Sequence, residues 1–381
     1  MEKRYIACMV LHALGDTIGY KNSEWEFQNV VGIENRIMEK LYEYIDLGGI
    51  NYVPDKDWLV SDDTIMHMKN AYGLLEDFTS VNGLSKHLMK HYIDAYNQFY
   101  KETLELRYPG KALMDGIERL IKGGNWDDMP YNFYAGGSGA SMRNSCIGLA
   151  FHGKESREKL IQYAIETSRI THNSVIGYLG GMVSALFAAY AIENIDIKKW
   201  PHMLLELFNN ETIDKIIARS GRDIQEYSDQ HHIFVEKWRK YVQDKFDDHG
   251  EPIARRSHKN LIYRAKYYGD NYTMKKKGKY LGEVYIGAGG DDSVIIAYDC
   301  LLDSRDRWEK LVVYSGLHSG DTDTTCCIAA SWYGAIYGFG QVPEKVMKYL
   351  EYKKELIRLG KELYKKYYRS KPLQGITTSK K

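Results

Sequence analysis

GYLGGMVSALFAAYAI, residues 177–192, is apolar almost all the way round a helical wheel. A helix without a polar face belongs at the centre of a protein, so further helices are needed to cover it. The 3.6-residue period recurs on both sides of it. Over 5–19 it sets Tyr5, Ile6, Met9, Val10, Ala13 and Leu14 on an amphipathic helix, and over 64–78 it aligns Ile65, Met68, Tyr72 and Leu75. Helices are also predicted over 83–100, 112–122, 157–171, 174–193, 198–208, 211–220, 223–245, 292–303, 305–316, 323–337 and 343–368. Strand-like alternation is scarce. The pattern predicts an all-α fold with at most a short hairpin.

Composition narrows the function classes. Hydrophobic residues make up 44% of the 381 and charged residues 27%, a globular balance rather than a disordered one. The net charge of +1 leaves no global electrostatic case for nucleic acid or an anionic membrane. Cys8, Cys146, Cys300, Cys326 and Cys327 are scattered and lack metal-ligand spacing, so a reducing, cytoplasmic compartment is expected. The N-terminal apolar run is broken by His12 and by Gly15-Asp16, which reads as a helix and not a signal peptide. No apolar stretch is expected to reach the roughly 18 residues that span a bilayer. With near-neutral charge and no coiled-coil heptad, a monomer is expected.

Residues 20–58 mix helix with turns. Two longer connections stand out: a glycine-rich loop over 123–143, and a polar, basic stretch over 246–291 that carries KKKGK at 275–279 and ends in IGAGGDD. Loops of this length in a compact domain usually carry function. The basic run itself reads as solvated loop.

Two acidic segments share a pattern. Ser61-Asp62-Asp63-Thr64 leads into one helix and Gly320-Asp321-Thr322-Asp323-Thr324-Thr325 into another. Either alone is satisfied by helix capping and the helix dipole. Together they hold more oxygen than two caps use, and their like charges repel. A hard divalent cation resolves both facts, with Ser61, Asp62, Asp63, Asp321, Asp323 and Thr324 as an all-oxygen ligand set. No His or Cys accompanies them at ligand spacing, which favours Mg²⁺ or Mn²⁺ over zinc. Asp16, between helix-ending glycines, is either a turn residue or a group orienting those ligands from behind. Glu26, between Trp25 and Phe27, is either a surface residue or a carboxylate on a lid.

Tyr134-Ala-Gly-Gly-Ser-Gly-Ala-Ser-Met-Arg143 precedes a helix, and its glycines let backbone N–H groups approach an anion, as in a diphosphate cradle. It lacks the Lys-Ser/Thr ending of a P-loop and follows no strand, so neither a triphosphatase nor a dinucleotide fold is supported. The alternative is a flexible turn before a buried helix. His172 stands just before the apolar helix, where a lone histidine is more often structural than catalytic.

With these motifs in order, the sequence resembles the ADP-ribosylglycohydrolase family, most closely its ADP-ribosylarginine hydrolases. The matching motifs are MEKRYIACMVLHALGDTIGY, WEF, VSDDTIMH (60–67), GGSGASMRNSCIGL (136–149), SRITHNSVIGYLG (168–180), IAYD (296–299) and HSGDTDTT (318–325). The resemblance covers about residues 1–368. It implies a single compact orthogonal helical domain over 1–368 with a central metal-binding cleft, followed by a polar tail over 369–381. It further implies a pair of Mg²⁺ ions (Mn²⁺ being an alternative) on Ser61, Asp62, Asp63, Asp321, Asp323 and Thr324. The implied substrate contacts are Gly110, Gly136, Gly137, Ser138, Gly139, His172, Tyr280, Gly282 and Gly287, and the implied catalytic carboxylates Asp62, Asp63 and Glu26. The implied substrates are mono-ADP-ribosylated proteins and the product ADP-ribose, released from arginine; serine-linked or O-acetyl substrates and a non-catalytic ADP-ribose-binding paralogue are the alternatives. The chain departs from the family pattern at Ser319-Gly320, where two glycines are more usual, and at Thr171-His172-Asn173-Ser174, where histidines often follow the threonine.

Overall fold

The computed structural model describes residues 1–27, 33–253, 256–273 and 285–370. KKKGK, Tyr280, Gly282 and residues 371–381 lie outside the described residues. Sixteen α-helices and no β-strand occur among those described: α1 (Glu2–Tyr20), α2 (Ile33–Asp46), α3 (Asp62–Leu75), α4 (Val81–Glu102), α5 (Lys111–Ile121), α6 (Ser145–Ala150), α7 (Arg157–Arg169) and α8 (Val175–Ile192) form the first half. The second half comprises α9 (Trp200–Asn209), α10 (Thr212–Ser220), α11 (Ile224–Lys245), α12 (Leu261–Asn271), α13 (Asp292–Ser304), α14 (Trp308–Gly316), α15 (Thr322–Tyr337) and α16 (Lys353–Tyr364). In place of a hairpin, the described residues hold two isolated bridges, Gly137 with Gly289 and Phe246 with Pro252.

The apolar helix α8 is central, and all of its residues are buried. At 18 residues it is long and apolar enough to cross a bilayer by length and composition, contrary to the sequence expectation; here protein covers every side. Its glycines bring the two glycine-rich loops onto its backbone. A Cβ on Gly177 would lie 2.6 Å from the Ala135 carbonyl oxygen, and one on Gly180 would lie 2.1 Å from that of Gly290.

α1, amphipathic by its spacing, has no exposed face beyond its first turns. Every residue from Ala7 to Tyr20 is buried. It runs antiparallel to α15 at close range, because Gly15 and Gly19 have no side chain to hold the helices apart. A Cβ on Gly15 would meet the Cys326 carbonyl at 2.6 Å, and one on Gly19 the Thr322 carbonyl at 2.3 Å. This crossing brings Asp16 beside the start of α15.

Three boundaries differ from the sequence reading. The stretch 246–291 is not all loop, because α12 lies within it, its start capped by the Asn260 side chain accepting from the Tyr263 amide at 3.1 Å. The helix expected over 305–316 starts at Trp308, since Arg305 takes φ 54° and breaks the chain direction. The single helix expected over 343–368 is divided: Tyr352 at φ 54° separates a 3₁₀ turn (Glu344–Met347) from α16.

Candidate metal and ligand site

The acidic floor is built where α1, α3 and α15 meet. Ser61 caps α3 by accepting the Asp63 amide at 3.1 Å. Asp16 reinforces that cap from α1, accepting the Ser61 and Thr64 amides, both at 3.1 Å, and the Thr64 hydroxyl at 2.5 Å. The start of α3 is thus satisfied without Asp62 or Asp63, which frees both carboxylates. Asp321 caps α15 by accepting the Thr324 amide at 3.3 Å, and Asp323 accepts the same amide at 3.0 Å. Glu26, Asp62, Asp63, Asp321 and Asp323 are all buried.

Glu26 is not a surface residue. The segment carrying it is tied down on both sides: the Phe27 amide donates to the Gly320 carbonyl at 3.0 Å, and the Lys40 ammonium donates to the carbonyls of Trp25 and, at 2.7 Å, His318. One ligand oxygen each from Glu26, Asp321 and Asp323 lies within 4.8 Å of the others. Glu26 Oε2 is buried without a hydrogen-bond partner. Such an oxygen is expensive in a dry site unless a cation covers it.

The electrostatics agree. Burial first, then repulsion from neighbouring carboxylates, raises Glu26, Asp62, Asp63 and Asp323 well above the ordinary range. Asp321 is pushed up to about 6 and Asp16 to about 7, with burial the main cause in each. Burial also brings Lys40 down to about 7. The donor set is all oxygen, and its excess negative charge is what a divalent ion neutralises.

Above the floor sits the glycine loop. Its Gly136 carbonyl accepts the Gly290 amide at 2.9 Å, and the Ser138 amide donates to Ala288 at 3.0 Å. The Ser138 hydroxyl donates to Asp321 Oδ2 at 3.1 Å, so loop and floor are one hydrogen bond apart. His172 lies under the loop; a Cβ on Gly139 would come within 2.6 Å of its Nε2. Arg143 donates to the Thr171 hydroxyl at 2.9 Å, and that hydroxyl contacts His172 Nδ1 at 2.8 Å. When the hydroxyl gives its own proton to Nδ1, the imidazole N–H stands on Nε2, facing the loop. Burial and the Arg143 charge lower His172 to about 3, so the ring is a neutral donor.

The remaining expected contacts divide. Gly110 is next to the floor, where its amide pulls against the burial-driven rise of Asp62. Gly287, at φ +84°, packs on Asp321, but its amide is engaged at 2.9 Å by Asp292, which also takes the Gly289 amide at 2.8 Å. Ser319 stands where glycine is more usual, its hydroxyl buried without a hydrogen-bond partner, whereas Gly320 is not replaceable: a Cβ there would lie 2.0 Å from the Ile286 carbonyl. The IAYD motif falls away from the floor. Its Asp299 instead joins Lys245 at 2.7 Å and Arg264 at 2.6 Å, locking α11, α12 and α13 together. Sequence reasoning missed two neighbours of the floor. Lys40 carries no local signal, and nothing in the spacing of the five cysteines sets Cys327 apart, although its thiol lies 3.3 Å from Asp63 Oδ2.

A model of the ADP-ribosylglycohydrolase family matches residues 1–372. The chain belongs to that family. It is 36% identical over 374 residues to ADP-ribosylhydrolase ARH1 of Dictyostelium discoideum, covering 93% of this chain and 92% of that one. It is 39% identical over 334 residues to an Acanthamoeba polyphaga mimivirus protein named as an ADP-ribosyl glycohydrolase, covering 85% of this chain but spanning only 62% of that relative's length. Among solved structures, an ADP-ribosylglycohydrolase-related protein complex shares the fold with TM-score 0.55 at 17% identity, over 96% of this chain and 98% of that one.

Proposed function

We propose that this chain is a cytoplasmic, monomeric ADP-ribosylarginine hydrolase that uses two divalent ions, Mg²⁺ or Mn²⁺, to release ADP-ribose from mono-ADP-ribosylated proteins. The observation that carries the reading is the Ser138–Asp321 hydrogen bond of 3.1 Å. It ties a loop suited to a diphosphate to a floor suited to cations, so a ligand with its diphosphate in the loop has its terminal ribose over the carboxylates. Similarity to an ARH1 hydrolase over nearly the full length of both chains supports arginine as the linked residue.

Asp62, Asp63, Asp321 and Asp323, with Ser61 and Thr324 beside them, would hold the ions. Bound there, divalent ions would fix the ribose hydroxyls and acidify a water. The chain's own groups do the rest. Gly136, Gly137 and Gly139 bring backbone close to the diphosphate, and His172 offers its Nε2–H beneath them. Cleavage breaks the C1″–N bond to the guanidine and forms C1″–O to water through an oxocarbenium-like transition state. Asp62 or Asp63 accepts the water's proton, and Glu26, over the same floor, hands a proton to the departing guanidine. Retention of every one of these carboxylates argues against a non-catalytic paralogue.

The test is a panel of peptides identical except for the ADP-ribosylated residue (arginine, serine or an acetyl ester), assayed with Mg²⁺ and with chelator. Arginine-linked ADP-ribose should be released only with metal. Preference for another linkage would refute the substrate assignment, and release unaffected by chelation would refute the metal role.

A further inference from the structure

His12 and His67 are buried, and their rings stack with centroids 4.0 Å apart and planes 5° from parallel. His12 Nε2 contacts the Met142 carbonyl at 2.6 Å, and His67 Nδ1 contacts the Arg143 carbonyl at 3.0 Å. A carbonyl only accepts, so His12 is protonated on Nε2 and His67 on Nδ1. The remaining nitrogens, His12 Nδ1 and His67 Nε2, are buried without partners. Two opposite tautomers are thus spent on two consecutive carbonyls at the end of the glycine loop. Asn70 adds a second donor to Arg143 at 3.0 Å.

Position explains why this matters. His12 precedes Asp16 by four residues on α1, and His67 follows Asp63 by four on α3, so each ring lies one helical turn from an acidic-floor carboxylate on the same face. From the two carbonyls the contacts continue through Arg143 to the Gly139 carbonyl at 2.6 Å and to Thr171, and from Thr171 to His172. We infer that the stacked pair is a positioning device that sets the distance between the acidic floor and the glycine loop, and so matches the site to the separation of diphosphate and terminal ribose in its ligand. This inference rests on the ADP-ribose reading of the loop.

The two donors sit at different reaches, which gives a test that a merely space-filling role would not pass. Asn places its amide N–H where His Nδ1 stands, and Gln where His Nε2 stands. In the full-length protein, His67→Asn and His12→Gln should keep ADP-ribose affinity within about threefold of wild type. His67→Gln and His12→Asn should weaken it about tenfold and raise KM for the ADP-ribosylated peptide, with kcat and Mn²⁺ affinity unchanged. Calorimetry with ADP-ribose and paramagnetic titration with Mn²⁺ read these separately. Amide exchange over 136–144 gives a readout independent of catalysis: matched variants keep protection and mismatched ones lose it. If matched and mismatched variants behave alike by exchange, the positioning role is overturned. If exchange separates them but wild type does not bind ADP-ribose, the ligand assignment falls and with it the inferred match to ADP-ribose.

Discussion

Removing one negative charge from the acidic floor should stabilise the metal-free protein. Asp321→Asn is the informative change, because an amide oxygen still accepts the Thr324 amide and the cap survives. In the fold Asp321 is raised from 3.8 to about 6, mainly by burial. That gap corresponds to at most about 3 kcal/mol against the ionised form. The sign follows from the direction: a carboxyl raised on folding contributes stability that is fully present below about pH 4 and is lost as pH rises through about 6. Chelated wild type should therefore lose thermal stability between pH 4 and 7. Asp321→Asn should recover up to about 4 °C of Tm at pH 7.5 for a chain of this size, and nothing at pH 4. Divalent ions should reverse the ranking: at a thousand times Kd they raise wild type by about 4.1 kcal/mol but leave the variant unmoved. Calorimetry at pH 4 and 7.5, with and without Mg²⁺, gives all four values. An apo Asp321→Asn protein that melts below wild type at pH 7.5 would refute the account of the floor as mutually repelling carboxylates held for a cation.

Glu26→Gln should lower turnover of the ADP-ribosylated substrate by about 10²–10⁴ while ADP-ribose still binds, measured by steady-state kinetics and calorimetry. Gly139→Ala drives a methyl against the His172 ring, to within 2.5 Å, so ADP-ribose affinity should fall about tenfold or more with little change in Mn²⁺ affinity. Asp299→Ala leaves Lys245 and Arg264 with Asp303 as their one remaining shared anion and should cost about 1.5–3 kcal/mol in urea denaturation, leaving metal affinity intact. Burial pushes Asp299 up, but Lys245 and Arg264 outweigh it and hold it far below the ordinary range. Its contribution is therefore present above about pH 4 and fades below, an acid sensitivity that Asp299→Ala should lack.

Much of the fold was legible because periodicity carries it. The all-apolar run at 177–192 announced a central helix, and the structure places α8 there. What periodicity could not show was the neighbour each face meets. α1 reads as amphipathic because its last turns are small and polar, yet Gly15 and Gly19 are there so that α15 can press against it, and that contact buries the polar turn too. α12 was hidden because tyrosines at 263, 267 and 268 do not register as an apolar face, although Tyr268 is buried. In the site, the clustering of Asp62, Asp63, Asp321 and Asp323 was visible as excess oxygen. The burial of Glu26 was not, since it depends on Lys40 and the Gly320 carbonyl, contacts set by tertiary structure. The place of Asp299 was not legible either: a short motif shows residue identity, and only packing shows whether a carboxylate meets an empty floor or two cations.

The antiparallel seam between α1 and α15 joins the first helix of the chain to one made some 300 residues later. At synthesis rates of about 5–20 residues per second, α1 leaves the ribosome about 15–60 s before its partner exists. Throughout that interval the face of α1 that meets α15 stays uncovered, although α3 and the Met142 carbonyl are already available to it. The acidic floor, which needs both ends of the seam, is completed only once α15 has been made.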